Sequence, residues 1–199
     1  MYEAIADGGL VRKLWIGEAY RYRDHLLRLD ANSRRKRFGG AVSDAYIRQH
    51  VETSLWLDAL LQGFFVEGVL RGAAELRSIE ERSRIEAEVA FSVEEKWQGH
   101  GVGSALLQRT LLAARNRGIK FLHMACMADN ERMQQLARKF DVELSFELGG
   151  IVGEVATPRP TPVSVMRELI SEGHSFGAAL LDAEPWMLKP AVLRKSKRR

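Results

Sequence analysis

Apolar and polar residues change their spacing several times along this chain, and each change predicts an element. Leu10-Val11-Arg12-Lys13-Leu14-Trp15 reads as a first strand. Glu18 to Leu29 then carries Tyr22, His25, Leu26 and Leu29 at helical spacing. A turn follows at Asp30-Ala31-Asn32-Ser33, then Gly39-Gly40. A second helix is predicted from about Asp44 to Leu57, with Ser43 or Asp44 as its N-cap. Leu60 to Val66 is a short apolar run, Glu67-Gly68 a tight turn, and Val69 to Ile79 a second extended run, which together predict a hairpin. Ser78 to Ser83 is charged and turn-like. Arg84 to Val93 alternates: Ile85, Ala87, Val89, Phe91 and Val93 share one face, and Glu86, Glu88, Ala90 and Ser92 the other.

Ser104 to Arg117 has helical spacing and ends in Arg115, Arg117 and Gly118, cations and then glycine, as helices stop. Ile119 to Met127 predicts a strand. Asp129 or Asn130 opens a helix to about Phe140, and Val142 to Leu148 and Ile151 to Ala156 predict two last strands joined by Gly149-Gly150. Thr157 to Pro162 places a proline at every second position, which excludes sheet pairing and helix and marks a linker. Val163 to Leu181 has amphipathic spacing, weakened by Gly173 and Gly177. The order β-α-α-β-β-β-α-β-α-β-β predicts an α/β (α+β) fold: a mixed, mostly antiparallel central sheet flanked by helices. Residues 1–156 form the main domain, 157–162 the linker, and 163–199 a helical extension with a basic tail.

The chain has 199 residues, 46% hydrophobic and 28% charged, the balance of a soluble globular domain. No apolar run approaches the roughly 18 residues of a membrane helix. Met1 to Gly9 carries Glu3 and Asp7 and does not read as a secretory signal. Cys126 is alone, which excludes an internal disulfide and fits a reducing cytoplasm. The net charge of +4 collects in Arg34-Arg35-Lys36-Arg37 and in Arg194 to Arg199. Solvated surface is the ordinary reading of both clusters. Without interleaved aromatics they are a weak basis for nucleic-acid contact.

The chemistry concentrates in Trp97-Gln98-Gly99-His100-Gly101-Val102-Gly103-Ser104-Ala105-Leu106-Leu107. Three glycines fall in five residues at the mouth of a helix, where Ser, Thr, Asp or Asn would normally cap the free N–H groups. Glycine lets another molecule approach the backbone, and the positive end of the helix dipole favours a phosphate. No Gly-Lys-Ser/Thr follows, so this is not a Walker loop, and the spacing does not fit G-x-G-x-x-G.

What it fits is Gln98-x-x-Gly101-x-Gly103, a (Q/R)-x-x-G-x-(G/A) signature. With three strands before it and Asn130 opening the next helix, Leu10 to Val155 resembles the GCN5-related N-acetyltransferase (GNAT) family, in particular bacterial members of unassigned substrate. The resemblance implies acetyl-CoA as cofactor. Its pyrophosphate would be held by Gln98, Gly99, His100, Gly101, Val102, Gly103 and Ser104, with His100 a backbone donor whose ring is exposed. Its pantetheine arm would be held by the backbone of Phe91, Ser92 and Val93. Asn130 resembles the asparagine that contacts the cofactor near the thioester. Homodimers are common in the family.

Acyl transfer to an amine needs a base, because a lysine-type amine is almost all protonated at neutral pH. Glu86 and Glu88 share a strand face about 7 Å apart and can raise one another's pKa if partly buried. Glu88-Val89-Ala90-Phe91-Ser92-Val93 resembles the strand of the histone-acetylating branch, which implies Glu88 as the base, with Glu86 the second choice. Both also read as solvent-facing charges. Many family members carry a tyrosine acid about seven residues after the asparagine; here that position is Ala137. His123 and Cys126 read as packing. His25 to Gly40 lies where the family builds its acceptor pocket; its arginines either attract an anionic acceptor or pair with Asp30 and Asp44. The implied activity is direct acetyl transfer to a primary amine, on a small molecule or a protein lysine. An acyl-CoA-binding regulatory module is the alternative, and a nucleic-acid-associated protein using the basic tail is a third.

Overall fold

The computed structural model describes residues 8–56, 59–79, 86–147 and 150–187. The first strand, β1 (Leu10–Lys13), is followed by α1 (Ala19–Arg28), α2 (Ala31–Phe38) and α3 (Asp44–Trp56). Then come β2 (Leu60–Val66), β3 (Val69–Ser78), β4 (Glu86–Val93) and α4 (Val102–Asn116). The chain continues through β5 (Phe121–Cys126), α5 (Glu131–Lys139), β6 (Glu143–Glu147), β7 (Gly150–Ala156) and α6 (Pro162–Met187). The seven strands form one sheet in the order β1-β2-β3-β4-β5-β7-β6. Its first four strands pair antiparallel, β4 and β5 pair parallel, and β5-β7 and β6-β7 pair antiparallel.

Local chemistry explains these boundaries. Glu67 and Gly68 both take positive φ (50° and 72°), the turn that joins β2 to β3 with the twist of the strands. Ser43 caps α3 by accepting from the Tyr46 N–H at 3.2 Å. The alternation in β4 separates two environments: Ala87 and Val89 are fully buried with α4, while Glu86 and Glu88 are exposed on the other face. Leu106, Leu107, Ala113 and Ala114 of α4 close the core on one side of the sheet. Tyr22 and Leu26 of α1 with Ile47 and Val51 of α3 close it on the other.

One helix goes beyond the predicted order. Residues 30–33 were expected as a turn, but Ala31–Phe38 is helical. Asp30 caps it by accepting from Ser33 N–H at 2.9 Å, and Gly39 ends it at φ 72°. The arginine cluster on α2 is not freely solvated. Arg34 pairs with Asp44 at 2.7 Å, Arg35 with Asp129, and the buried Arg37 with Glu75. Asp30 takes part as a cap, not as an arginine partner.

The proline segment is tied to the sheet domain. Thr157 N–H donates to Lys120 C=O at 2.8 Å, and Arg115 donates to Arg159 C=O at 2.8 Å. Pro162, expected in the linker, is the first residue of α6, a position that needs no N–H. The basic tail and residues 80–85 of the expected turn and strand start lie outside the described residues.

Candidate functional site

The site forms where the sheet divides. β4 and β5 pair only at Glu86–Phe121, Ala87–Leu122 and Glu88–His123. Beyond that point β4 stays paired with β3 as far as Val93, and β5 with β7 as far as Cys126. Among the described residues, the β5-facing edge of β4 from Ala90 onward therefore has no strand partner. A backbone edge of this kind presents N–H and C=O groups to whatever enters the gap.

A cleft of about 710 Å³ lies along this edge. Its lining includes Phe91, Ser92 and Val93 of β4, the loop residues Gln98, Gly99, Gly101, Gly103 and Ser104, and Asn130 at the start of α5. Gln98 positions the loop: its amide nitrogen donates to Val93 C=O at 2.8 Å and to the Ser33 hydroxyl at 3.0 Å, and its carbonyl accepts from Arg132. The loop is thereby pinned to the end of β4, to α2 and to α5 at once.

Gly101 is the N-cap of α4, with φ 82° and no side-chain cap. The first backbone bond of the helix is Ala105 N–H to Gly101 C=O, at 3.1 Å. The N–H groups of Val102, Gly103 and Ser104 precede it and have no partner within the helix. A Cβ added at Gly99 or Gly101 would meet nothing within 4 Å. The glycine requirement there comes from φ 82° at both positions, a conformation that side chains resist. Gly103 differs: it has no positive φ, and a Cβ there would sit 3.4 Å from the Leu136 side chain of α5, an ordinary contact. Val102 is buried and anchors the turn, while His100 is exposed. Lys139 donates to the Ser104 hydroxyl at 3.3 Å, which brings a cation to the helix mouth. These features suit an anionic group with many acceptor oxygens. Asn130 accepts from Met133 N–H at 3.4 Å, so its side-chain oxygen caps α5.

A second cavity, of about 480 Å³, takes in Glu88, Arg77, Tyr46, His50 and Cys126, and shares Lys36 and Arg37 with the first. Glu88 faces this cavity. Glu86 does not line it: its carboxylate lies 3.3 Å from His123 Nε2, and His123 Nδ1 lies 3.7 Å from Glu154. Both glutamates are exposed, so the partial burial that their shared strand face allowed for is not found. Burial pushes the Cys126 thiol above its ordinary pKa. Ala137, at the family's tyrosine position, is in the core.

Two buried networks support the site, and sequence reading assigned neither. Glu75 of β3 is 4% exposed and accepts from Tyr22 Oη at 2.8 Å and from Arg77 at 2.5 Å; it also pairs with Arg37 and lies 3.0 Å from His50 Nε2. Burial pushes the Tyr22 phenol up. In the second network, His25 lies with Nε2 2.9 Å from the Ser92 hydroxyl and Nδ1 3.3 Å from Glu94. Burial holds His25 below its ordinary pKa despite the carboxylate beside it. Glu94 also accepts from Arg28 at 2.9 Å and Arg71 at 3.0 Å. The Ser92 side chain is thus engaged with α1, while the residue also lines the cleft.

Comparison with known proteins agrees with this geometry. The Acetyltransferase (GNAT) family profile matches residues 26–141, and the chain belongs to that family. It is similar to acetyltransferase Pat of Mycolicibacterium smegmatis, 31% identical over 87 residues, which is 43% of this chain and 26% of the relative. The chain thus spans about a quarter of that relative's length. The GNAT domain of S. lividans PAT superposes with a TM-score of 0.63 at 24% identity, covering 73% of this chain and 89% of that one. The Salmonella typhimurium yncA structure, which contains its cofactor acetyl-CoA, superposes with a TM-score of 0.57 at 16% identity, covering 77% and 96%. Among the described residues no helix is long and apolar enough to cross a membrane.

Proposed function

We propose that this chain moves the acetyl group of acetyl-CoA onto a primary amine, on a small molecule or a protein lysine, by direct transfer in a ternary complex in the cytoplasm. The observation that carries this reading is the division of the sheet after Glu88–His123. It leaves a backbone edge and an uncapped helix in one cavity, Glu88 in the next, and Lys36 and Arg37 common to both. Relatives support the cofactor: the yncA structure contains acetyl-CoA, as does a phosphinothricin acetyltransferase from Sinorhizobium meliloti.

Acetyl-CoA supplies an activated thioester. The N–H groups of Val102, Gly103 and Ser104, with the dipole of α4, take the pyrophosphate. The free edge from Phe91 to Val93 orients the pantetheine amides, and Asn130 closes the cleft near the reacting end. The acceptor enters through the second cavity. At neutral pH roughly one lysine-type amine in a few thousand is neutral, so Glu88 accepts the proton that the nitrogen loses. A carbon–nitrogen bond forms and the carbon–sulfur bond breaks, and the second proton that the nitrogen loses as the amide forms passes through water to the leaving thiolate. Residues 1–156 carry this chemistry, with 157–161 as connection and the segment from Pro162 onward as an extension.

A second reading, a CoA-binding regulatory module without turnover, is favoured by one feature: Ala137 offers no proton where many relatives carry tyrosine. Mass spectrometry of an amine panel incubated with acetyl-CoA separates the two. The enzyme yields an acetylated amine; the regulatory module binds CoA and leaves every amine unchanged.

A further inference from the structure

The polarity of α6 is reversed. Its inward side is polar: Ser164, Ser171 and Ser175 are buried, Glu168 accepts from Asn116 and Arg117, each at 2.6 Å, and Glu172 pairs with Lys13 at 2.9 Å. Its outward side carries an apolar stripe flanked by the exposed Arg167 and His174: Val163 is 67% exposed, Met166 59%, Leu169 58%, Ile170 52% and Phe176, whose ring also meets Trp15 edge-on at 5.7 Å, 54%. An amphipathic helix normally buries the apolar stripe. Together these side chains leave roughly 600 Å² of apolar surface in water, the top of the range for the largest patch on an ordinary monomer.

Gly173 and Gly177 lie in the same outward stripe. A Cβ added at either meets nothing within 4 Å, and neither takes a positive φ. Nothing among the described residues calls for glycine there, yet each costs about 1 kcal/mol against alanine in a helix interior. Their use is close approach of another backbone.

We propose that a second copy of this chain seats its own α6 antiparallel on this face. Val163, Met166, Ile170, Gly173 and Gly177 follow the alternating three- and four-residue spacing of a coiled-coil seam. In an antiparallel pair about a two-fold axis, Ile170 of one helix faces Gly173 of the other, and Met166 faces Gly177. Each large side chain meets a position with no side chain, and the relation is reciprocal, as an isologous interface requires. Leu169 and Phe176 then face one another along one flank. A parallel pair would set glycine against glycine and isoleucine against isoleucine. Burying the patch on both copies removes about 1,200 Å², enough for a standard stable interface. The helix carries Glu168, Glu172, Asp182 and Glu184 against Arg167, so an anionic bilayer is the less favoured occupant. This inference does not depend on the acetyl-transfer reading.

The test uses the full chain. Sedimentation equilibrium should give twice the 22.5 kDa chain mass. Ile170→Glu and Gly173→Leu should each weaken the dimer by at least about tenfold. Gly173→Leu improves helix propensity, so its thermal unfolding should not fall in the monomer. In a Cys126→Ser background, chains carrying Ile170→Cys mixed with chains carrying Gly173→Cys should form a disulfide between chains, and neither should do so alone. A monomeric wild-type chain overturns the proposal, including one that binds anionic lipid vesicles through α6. So does a dimer that survives both variants, or one cross-linked by Gly173→Cys alone.

Discussion

Glu88 and His123 are the last residues to pair across β4 and β5, and the sheet divides immediately beyond them. That relationship places Glu88 at the base of the division, where the strand that lines the first cleft also lines the second cavity. The β3 partner of Glu88 is Arg77, whose guanidinium reaches back to Glu75. The carboxylate proposed for proton transfer is thus exposed but paired to a strand whose neighbouring Glu75 network is buried.

Gly101 holds the loop in a conformation that only glycine takes freely. At φ 82° any other side chain is strained, at a cost of order 1–3 kcal/mol. Gly101→Val should relieve that strain by moving the N–H groups that follow it. Calorimetry should show CoA affinity falling by about tenfold or more, with the thermal unfolding only modestly changed. Unaltered affinity would remove the helix mouth from the phosphate site.

Glu75 should matter to stability more than its position inside a strand suggests. Glu75→Ala leaves Arg37 buried without its carboxylate partner, and loss of one partner of a buried pair costs about 3–5 kcal/mol. Urea unfolding measures this directly. A loss below about 1 kcal/mol would show the network to be dispensable, as exposed ion pairs commonly are.

His25 predicts a pH dependence with a definite sign. Burial holds its folded pKa below the unfolded value near 6.5, so the unfolded chain binds more protons in acid. Its contribution is fully present above about pH 6.5 and is lost as pH falls toward the folded pKa. The carboxylates Glu18 and Glu94, held low by their arginine and histidine partners against burial, act only at still lower pH. Unfolding midpoints should therefore drop between neutral pH and about pH 5 in the wild type, and His25→Asn should flatten that slope. An unchanged slope would assign the drop to another group.

The β-rich centre was legible because its chemistry is local. Alternation in β4 separated buried Ala87 and Val89 from exposed Glu86 and Glu88, and Glu67-Gly68 announced its turn. The signature from Gln98 to Gly103 located an uncapped helix start. The helix α2 was not legible, because Ala31 to Phe38 has no apolar stripe. It is held by arginines whose partners Asp44, Glu75 and Asp129 come from elsewhere in the chain. The networks around Glu75 and His25 were hidden for the same reason: helical or strand spacing marks a residue as inward, not what it meets there. The spacing in α6 marked an amphipathic helix, but spacing does not say which face turns inward. Polar partners on Lys13, Asn116 and Arg117 decided that.

The most direct measurement is release of free CoA thiol from acetyl-CoA by the wild-type chain and by Glu88→Gln, over a panel of primary amines including lysine peptides. The account predicts amine-dependent release by the wild type. In Glu88→Gln, kcat should fall by about 10²–10⁴, the range for a lost general base, while CoA affinity is retained. Tight CoA binding with no thiol release on any amine, or equal rates in the two proteins, would contradict it.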